Sequence, residues 1–92
     1  MRVRLSRWAE TDLIEITDFI ALDNPKRASE FEDELLEHAH KIAHAPLGYV
    51  ERPELKKGIR SCAHGAYVIF FKGVRIERIL HGARDLGPLL NQ

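Results

Sequence analysis

The sequence predicts an α+β fold of order β-α-α-β-β-β, a helical hairpin packed on a small antiparallel sheet. Three observations carry this. Two consecutive segments, separated by Asp23-Asn24-Pro25, repeat apolar residues at three- and four-residue steps. The second half holds an unbroken apolar run, Tyr67-Val68-Ile69-Phe70-Phe71, rich in aromatic and β-branched residues. Glycine and proline divide that half into short pieces. The 92 residues suffice for one domain, 1–92. Its single core would bury roughly 60–70% of the unfolded chain's surface.

Each element has its own signal. Arg2–Leu5 alternates polar and apolar residues, with Val3 and Leu5 on one side, as a short strand does. Ser6 suits the cap of a first helix from Arg7 to Leu22, with Glu10 and Asp12 where the helix dipole favours acids. Ala9, Leu13, Ile16 and Ile20 form its apolar stripe. Asn24 caps the second helix and Pro25 fits its first position, because an N–H there would have no partner in any case. That helix shows Ala28, Phe31, Leu35, Ala39 and Ile42 on one face, with Leu36 and Ala43 beside it. Glu30, Asp33, Glu34 and Glu37 lie largely opposite, and Pro46 and Gly48 stop it.

Pro46 to Lys57 reads as a loop. Ile59–Ala63 reads as a strand and His64-Gly65 as a turn. Tyr67–Phe71, apolar at every position, belongs mid-sheet with both faces covered. Lys72-Gly73 makes a tight hairpin, and Val74–Leu80 returns. The alternation slips near Arg78-Ile79-Leu80, the mark of a bulge.

Composition narrows the function classes. There are 14 basic and 14 acidic side chains, for a formal net charge of zero. The halves differ: residues 1–45 hold 6 basic and 10 acidic residues, residues 46–92 hold 8 and 4. That asymmetry points to partners, whether nucleic acid or an acidic protein segment, or to the halves neutralising each other. No apolar run approaches the ~20 residues that span a bilayer, so no membrane partner is expected. One cysteine cannot form an internal disulfide. Met1-Arg2-Val3-Arg4-Leu5 lacks the apolar region of a signal peptide. The expected location is the cytoplasm.

Candidate chemistry is sparse. His40 and His44 share a helix face, with His38 nearby, but nothing completes a metal site, so no metal or cofactor is expected. Cys62 lies in a strand with His64 two residues on, and reads as a small buried apolar residue. Several of Lys56, Lys57, Arg60, Arg75, Arg78 and Arg84 could converge on one face or edge of the sheet and bind phosphate. An RNA-cleaving site would add His81 and Asp85 beside Arg84 as proton donor and acceptor. Against this stands an ordinary solvated sheet face, with Glu54 and Glu77 as partners.

Taken in order, the segments resemble the ParE toxins of the RelE/ParE toxin–antitoxin superfamily. The likeness runs from Leu5 to about Leu86. It rests on Ala9-Glu10-Thr11-Asp12-Leu13 through Ile16 and Ile20-Ala21, on Asp23-Asn24-Pro25 with Ala28 and Phe31, and on Pro46-Leu47-Gly48. It continues through Arg52-Pro53-Glu54-Leu55, Gly58-Ile59-Arg60-Ser61 and Tyr67–Phe71 to Ile79-Leu80-His81-Gly82-Ala83-Arg84-Asp85. The resemblance implies a RelE/ParE-like fold in a bacterial toxin and a ParD-like antitoxin that wraps it in a hetero-oligomer. It also implies inhibition of DNA gyrase or a related topoisomerase, with DNA reached only indirectly through the antitoxin complex.

RelE relatives instead cut mRNA in the ribosome, commonly with a tyrosine near the C-terminus. Past Asp85 this chain reads Leu86-Gly87-Pro88-Leu89-Leu90-Asn91-Gln92, with no residue suited to proton transfer. A toxin that binds its target without chemistry of its own is therefore the first reading. Arg60 and Arg84 match family motif positions and are its target-binding candidates. Arg60, His81 and Arg84 are the catalytic candidates if the chain is a ribonuclease.

Overall fold

A computed structural model describes residues 3–83 of the chain. The elements are β1 (Arg4–Leu5), α1 (Arg7–Asp23), α2 (Pro25–His44), a 3-10 turn (Pro46–Gly48), β2 (Val50–Glu51), β3 (Arg60–His64), β4 (Tyr67–Lys72) and β5 (Arg75–His81). The sheet order is β1-β5-β4-β3-β2. Pairing is antiparallel from β2 through β5, and β1 joins β5 in parallel, so the sheet is mixed. The two helices between β1 and the later strands carry the chain across, which permits that parallel pair. No described helix is long and apolar enough to cross a membrane.

The helices start and stop where their caps dictate. Ser6 Oγ accepts from Ala9 N at 3.0 Å. Asn24 serves two helices: its N–H donates to Ile20 O at the end of α1, and its Oδ1 accepts from Arg27 N at 3.0 Å. On α2 the buried residues are Ala28, Phe31, Leu35, Ala39, Ile42 and Ala43, the face anticipated from the sequence. On α1, Ala9 and Ile16 are buried, and Leu13 and Ile20 pack at the margin of the core. Asp12 departs from expectation. It is buried, 6% exposed, and faces the sheet instead of serving the helix dipole.

Two apolar clusters flank the sheet. The larger joins Phe31, Leu35 and Ile42 of α2 to Ile69, Phe71, Ile76 and Ile79. The smaller, on the other face of β4, joins Phe70, Leu80 and Ile59, with Leu55 and Val68 packed against it. Alternate residues of β4 thus enter opposite clusters, and both faces of the central strand are covered.

The connections differ in detail from the sequence reading. Within the expected loop Pro46–Lys57, Val50 and Glu51 form β2, opposite Ser61 and Arg60. Two residues are too few to show periodicity. The hairpin turns are Gly65-Ala66 and Gly73-Val74, each one residue later than the sequence suggested. Gly65 and Gly73 both have φ of +59°. A type II′ turn needs that sign at its first central residue, which glycine alone supplies without strain.

Between Phe70 and Phe71 the β4–β5 register shifts, so Glu77 becomes an extra residue between Ile76 and Arg78. This is the bulge foreseen near Arg78. The start of α1 is built onto it. Ser6 N donates to Ile76 O at 2.8 Å, and Ser6 Oγ donates to Glu77 O at 2.6 Å. Asp12 Oδ2 accepts from Ile79 N at 3.0 Å and from Arg78 Nε at 2.8 Å, while Oδ1 accepts from Arg78 Nη2 at 3.0 Å. The buried carboxylate is thus saturated by a forked guanidinium and a backbone N–H.

Candidate functional site

The structure takes Arg78 and Arg60 out of the group of basic residues expected to converge. Arg78 is taken up by Asp12. Arg60 sends Nη1 to Tyr49 O at 2.7 Å, and its Nη2 lies 3.9 Å from Glu51 Oε2. It therefore braces the segment entering β2, where Tyr49 packs edge-on against Phe71 at 5.5 Å. Arg52 in the Arg-Pro-Glu-Leu segment binds Glu54 at 2.6 Å and Ser61 Oγ at 3.3 Å. That guanidinium holds the Glu54 carboxyl below its usual range.

His81 ends β5 and is exposed. Its Nδ1 accepts from Ala83 N at 3.1 Å, and its ring meets Tyr67 edge-on at 5.4 Å. Arg60 and His81 do not share a site. Arg60 is opposite Phe71, and His81 is opposite Tyr67, at the other end of β4. At ~3.3 Å per residue those positions stand about 13 Å apart along the strand. Arg84 and Asp85 lie outside the described residues.

A cluster the sequence did not disclose joins α2 to β3. His38 Nε2 lies 3.1 Å from Cys62 Sγ, and His38 Nδ1 lies 2.9 Å from His64 Nδ1. Cys62 and His64 are two apart on a strand and share a face. Their proximity to His38 depends on how α2 docks, which no local pattern reveals. The one available signal was that His38 follows Leu35 by three and precedes Ile42 by four, on the inner face of α2.

The His38 and His64 ring centroids are 5.2 Å apart, close to the maximum set by the 2.9 Å nitrogen separation plus the two ring radii. Their nitrogens therefore aim at each other, as in a hydrogen bond, instead of converging on a third point as metal ligands would. A neutral imidazole has one donor and one acceptor, so the chain can run Sγ–H to Nε2, then Nδ1–H to His64 Nδ1. Burial, and to a lesser degree His64 and Lys41, pushes the His38 pKa down. Burial pushes the Cys62 thiol up. Both effects favour the neutral thiol and imidazole over an activated thiolate.

Beside this cluster an open cleft of about 370 Å³ is lined by Glu34, Glu37, His38, Lys41 and His64. His40 and His44 are exposed on α2. Among the described residues no group of three His, Cys, Asp or Glu is placed to hold a metal ion.

Exposed apolar side chains gather on α1. Trp8, Phe19 and Leu22 are 48%, 69% and 82% exposed. Spacings of eleven and three residues put them on one side of the helix, about a quarter-turn from Ala9 and Ile16.

Comparison with known proteins agrees with this architecture. Residues 3–86 match the family described as the ParE toxin of type II toxin–antitoxin system, parDE. Toxin ParE1 of Caulobacter vibrioides is 35% identical, with 85% of each chain covered. A solved structure described as the chromosomal ParDE TA system from P. aeruginosa has the same fold, with a TM-score of 0.70 at 23% identity. That match covers 88% of this chain and 95% of the other. Its two helices on a five-stranded mixed sheet, and a family match spanning nearly its whole length, show that the chain belongs to the ParE toxins of type II toxin–antitoxin systems.

Proposed function

We propose that this toxin inhibits DNA gyrase, so blocking replication in the bacterial cytoplasm, and that a ParD-like antitoxin neutralises it. The family match over residues 3–86, to toxins of parDE systems, carries this reading. The toxin acts by binding, not by chemistry of its own. That is favoured over a ribosome-dependent mRNA endonuclease by the separation of Arg60 from His81 at opposite ends of β4, since proton transfer requires hydrogen-bond reach of one reacting centre. Arg60 and Arg84 are the candidate target contacts.

The α1 surface supports a helical antitoxin segment as partner. Trp8, Phe19 and Leu22 offer apolar anchors along one line of a helix, the pattern an amphipathic segment covers. The antitoxin would link the toxin to operator DNA indirectly.

The test is a cleavage assay with purified toxin, gyrase, ATP and supercoiled plasmid. Linear DNA covalently bound to protein should accumulate, and antitoxin should abolish it. Toxicity in cells without such trapping would reject gyrase in favour of the ribosome, with Arg60, His81 and Arg84 as the residues to examine.

A further inference from the structure

One end of the sheet carries a row of like charges. Arg4 of β1 pairs directly with Arg75 of β5, and Arg75 pairs directly with Lys72 of β4. Their strand neighbours Leu5, Ile76 and Phe71 all belong to the cluster under the helices. Arg4, Arg75 and Lys72 therefore project from the opposite face, side by side. All three are exposed. The Lys72 side chain continues over Gly58, where a Cβ would stand 3.1 Å from Lys72 Cε, and so reaches the turn that bears Lys57.

Like charges directly opposite on neighbouring strands cost stability. Arg75 meets a carboxylate only at the long distance of 3.9 Å, from Glu77. Arg4, Lys57 and Lys72 make no ion pair with a described residue. Meanwhile Glu30, Asp33, Glu34 and Glu37 lie exposed on α2, in the layer across the sheet. Cations thus stand at one end of the sheet face turned away from the helices, and these acids on α2.

We propose that the cross-strand row Arg4–Arg75–Lys72, continued by Lys57, binds the phosphodiester backbone of duplex DNA directly. Strands stand ~4.8 Å apart, so the three strand cations extend over about 10 Å. Duplex DNA presents one charge per ~1.7 Å of its axis, dense enough to meet all of them. Single-stranded nucleic acid is bound through stacking on aromatic rings, and none of these four positions is aromatic. The row has no pocket and no base-reading side chain in a recognition helix, so binding is independent of sequence. The acidic helices face away from the duplex and orient the toxin on it. This contact is additional to the indirect one through the antitoxin.

Fluorescence anisotropy of a labelled 20-base-pair duplex, titrated with free toxin between 20 and 150 mM NaCl, tests the row. The assay contains neither gyrase nor antitoxin, so it can fail or succeed independently of the proposed target. Three to four phosphate contacts predict a log–log salt slope of roughly −3, the same for unrelated sequences. The double variant K72A/R75A should reduce the slope by about two units and leave thermal stability unchanged or higher, since it relieves repulsion. The variant K26A/K41A removes two charges from α2 and should bind as wild type does. Absence of binding at 20 mM NaCl, equal losses in both variants, or a lower melting temperature for K72A/R75A would overturn the proposal. Tighter binding to a polyglutamate peptide than to the duplex would overturn it in favour of an acidic protein partner.

Discussion

Asp12 and Arg78, sixty-six residues apart, form a buried forked ion pair that fastens the first helix to the bulged last strand. Their side chains are 8% and 12% exposed. Asp12 also accepts from Ile79 N, so one carboxylate fixes both the helix position and the strand beside the bulge. The pair holds the Arg78 pKa above its ordinary value.

Removing one partner leaves a charge in a low-dielectric site. Asp12→Ala should cost about 3 kcal/mol, the penalty of a broken buried pair. For a domain of this size that corresponds to a melting temperature lower by more than ~10 °C. Asp12→Asn should cost less, because its amide oxygen can still accept from Ile79 N. Thermal denaturation followed by circular dichroism gives both values, and an Asp12→Asn variant as stable as wild type would deny the charge any role.

The His38 relay predicts loss of stability in acid. Its pKa is lowered in the folded state, first by burial and then by His64 and Lys41, so the fold favours the neutral ring. That contribution is complete above the unfolded value near 6.5 and is lost as pH falls through the folded value. Melting temperatures at pH 7.5 and pH 5 should differ more in wild type than in His38→Gln. An unchanged difference would place the acid sensitivity elsewhere.

Cys62 should be a slow nucleophile. Burial raises its thiol pKa above the ordinary 9.0, reducing the thiolate that attacks alkylating agents. At pH 8, iodoacetamide should modify native toxin more slowly than the urea-unfolded chain. Faster reaction in the native state would mean that His38 activates the thiol.

Arg60 carries both a structural bond and a functional candidacy, and these separate experimentally. Loss of its bond to Tyr49 O should cost about 1.5 kcal/mol in Arg60→Ala, in the range for a charged hydrogen bond. If Arg60 also touches the target, folded Arg60→Ala will still bind antitoxin but fail to trap gyrase on DNA. Normal trapping by the folded variant would confine Arg60 to bracing β2.

Local chemistry accounts for what could be read without coordinates. The caps Ser6 and Asn24, the inner face of α2 and the central strand all follow from interactions within a few residues. The bulge was legible too, because an extra residue breaks a period of two. The ordered segments that resemble ParE were also linear features, and the family match spans them.

Contacts between distant segments were not legible. Asp12 in a helical first half looks like a residue serving the dipole, and only the docking of α1 on β5 shows it to be buried. Cys62 and His64 sit in one strand, but the nitrogen between them comes from α2. The cationic row needs three strands in register, two of them parallel neighbours separated by seventy residues. The helices, the central strand and the family could be read along the chain, because period, caps and turn residues act over a few positions. Which charges pair, which like charges stand side by side and which candidates lie too far apart depend on the fold, because Coulombic and hydrogen-bonding partners are chosen by distance in space and not by separation along the chain.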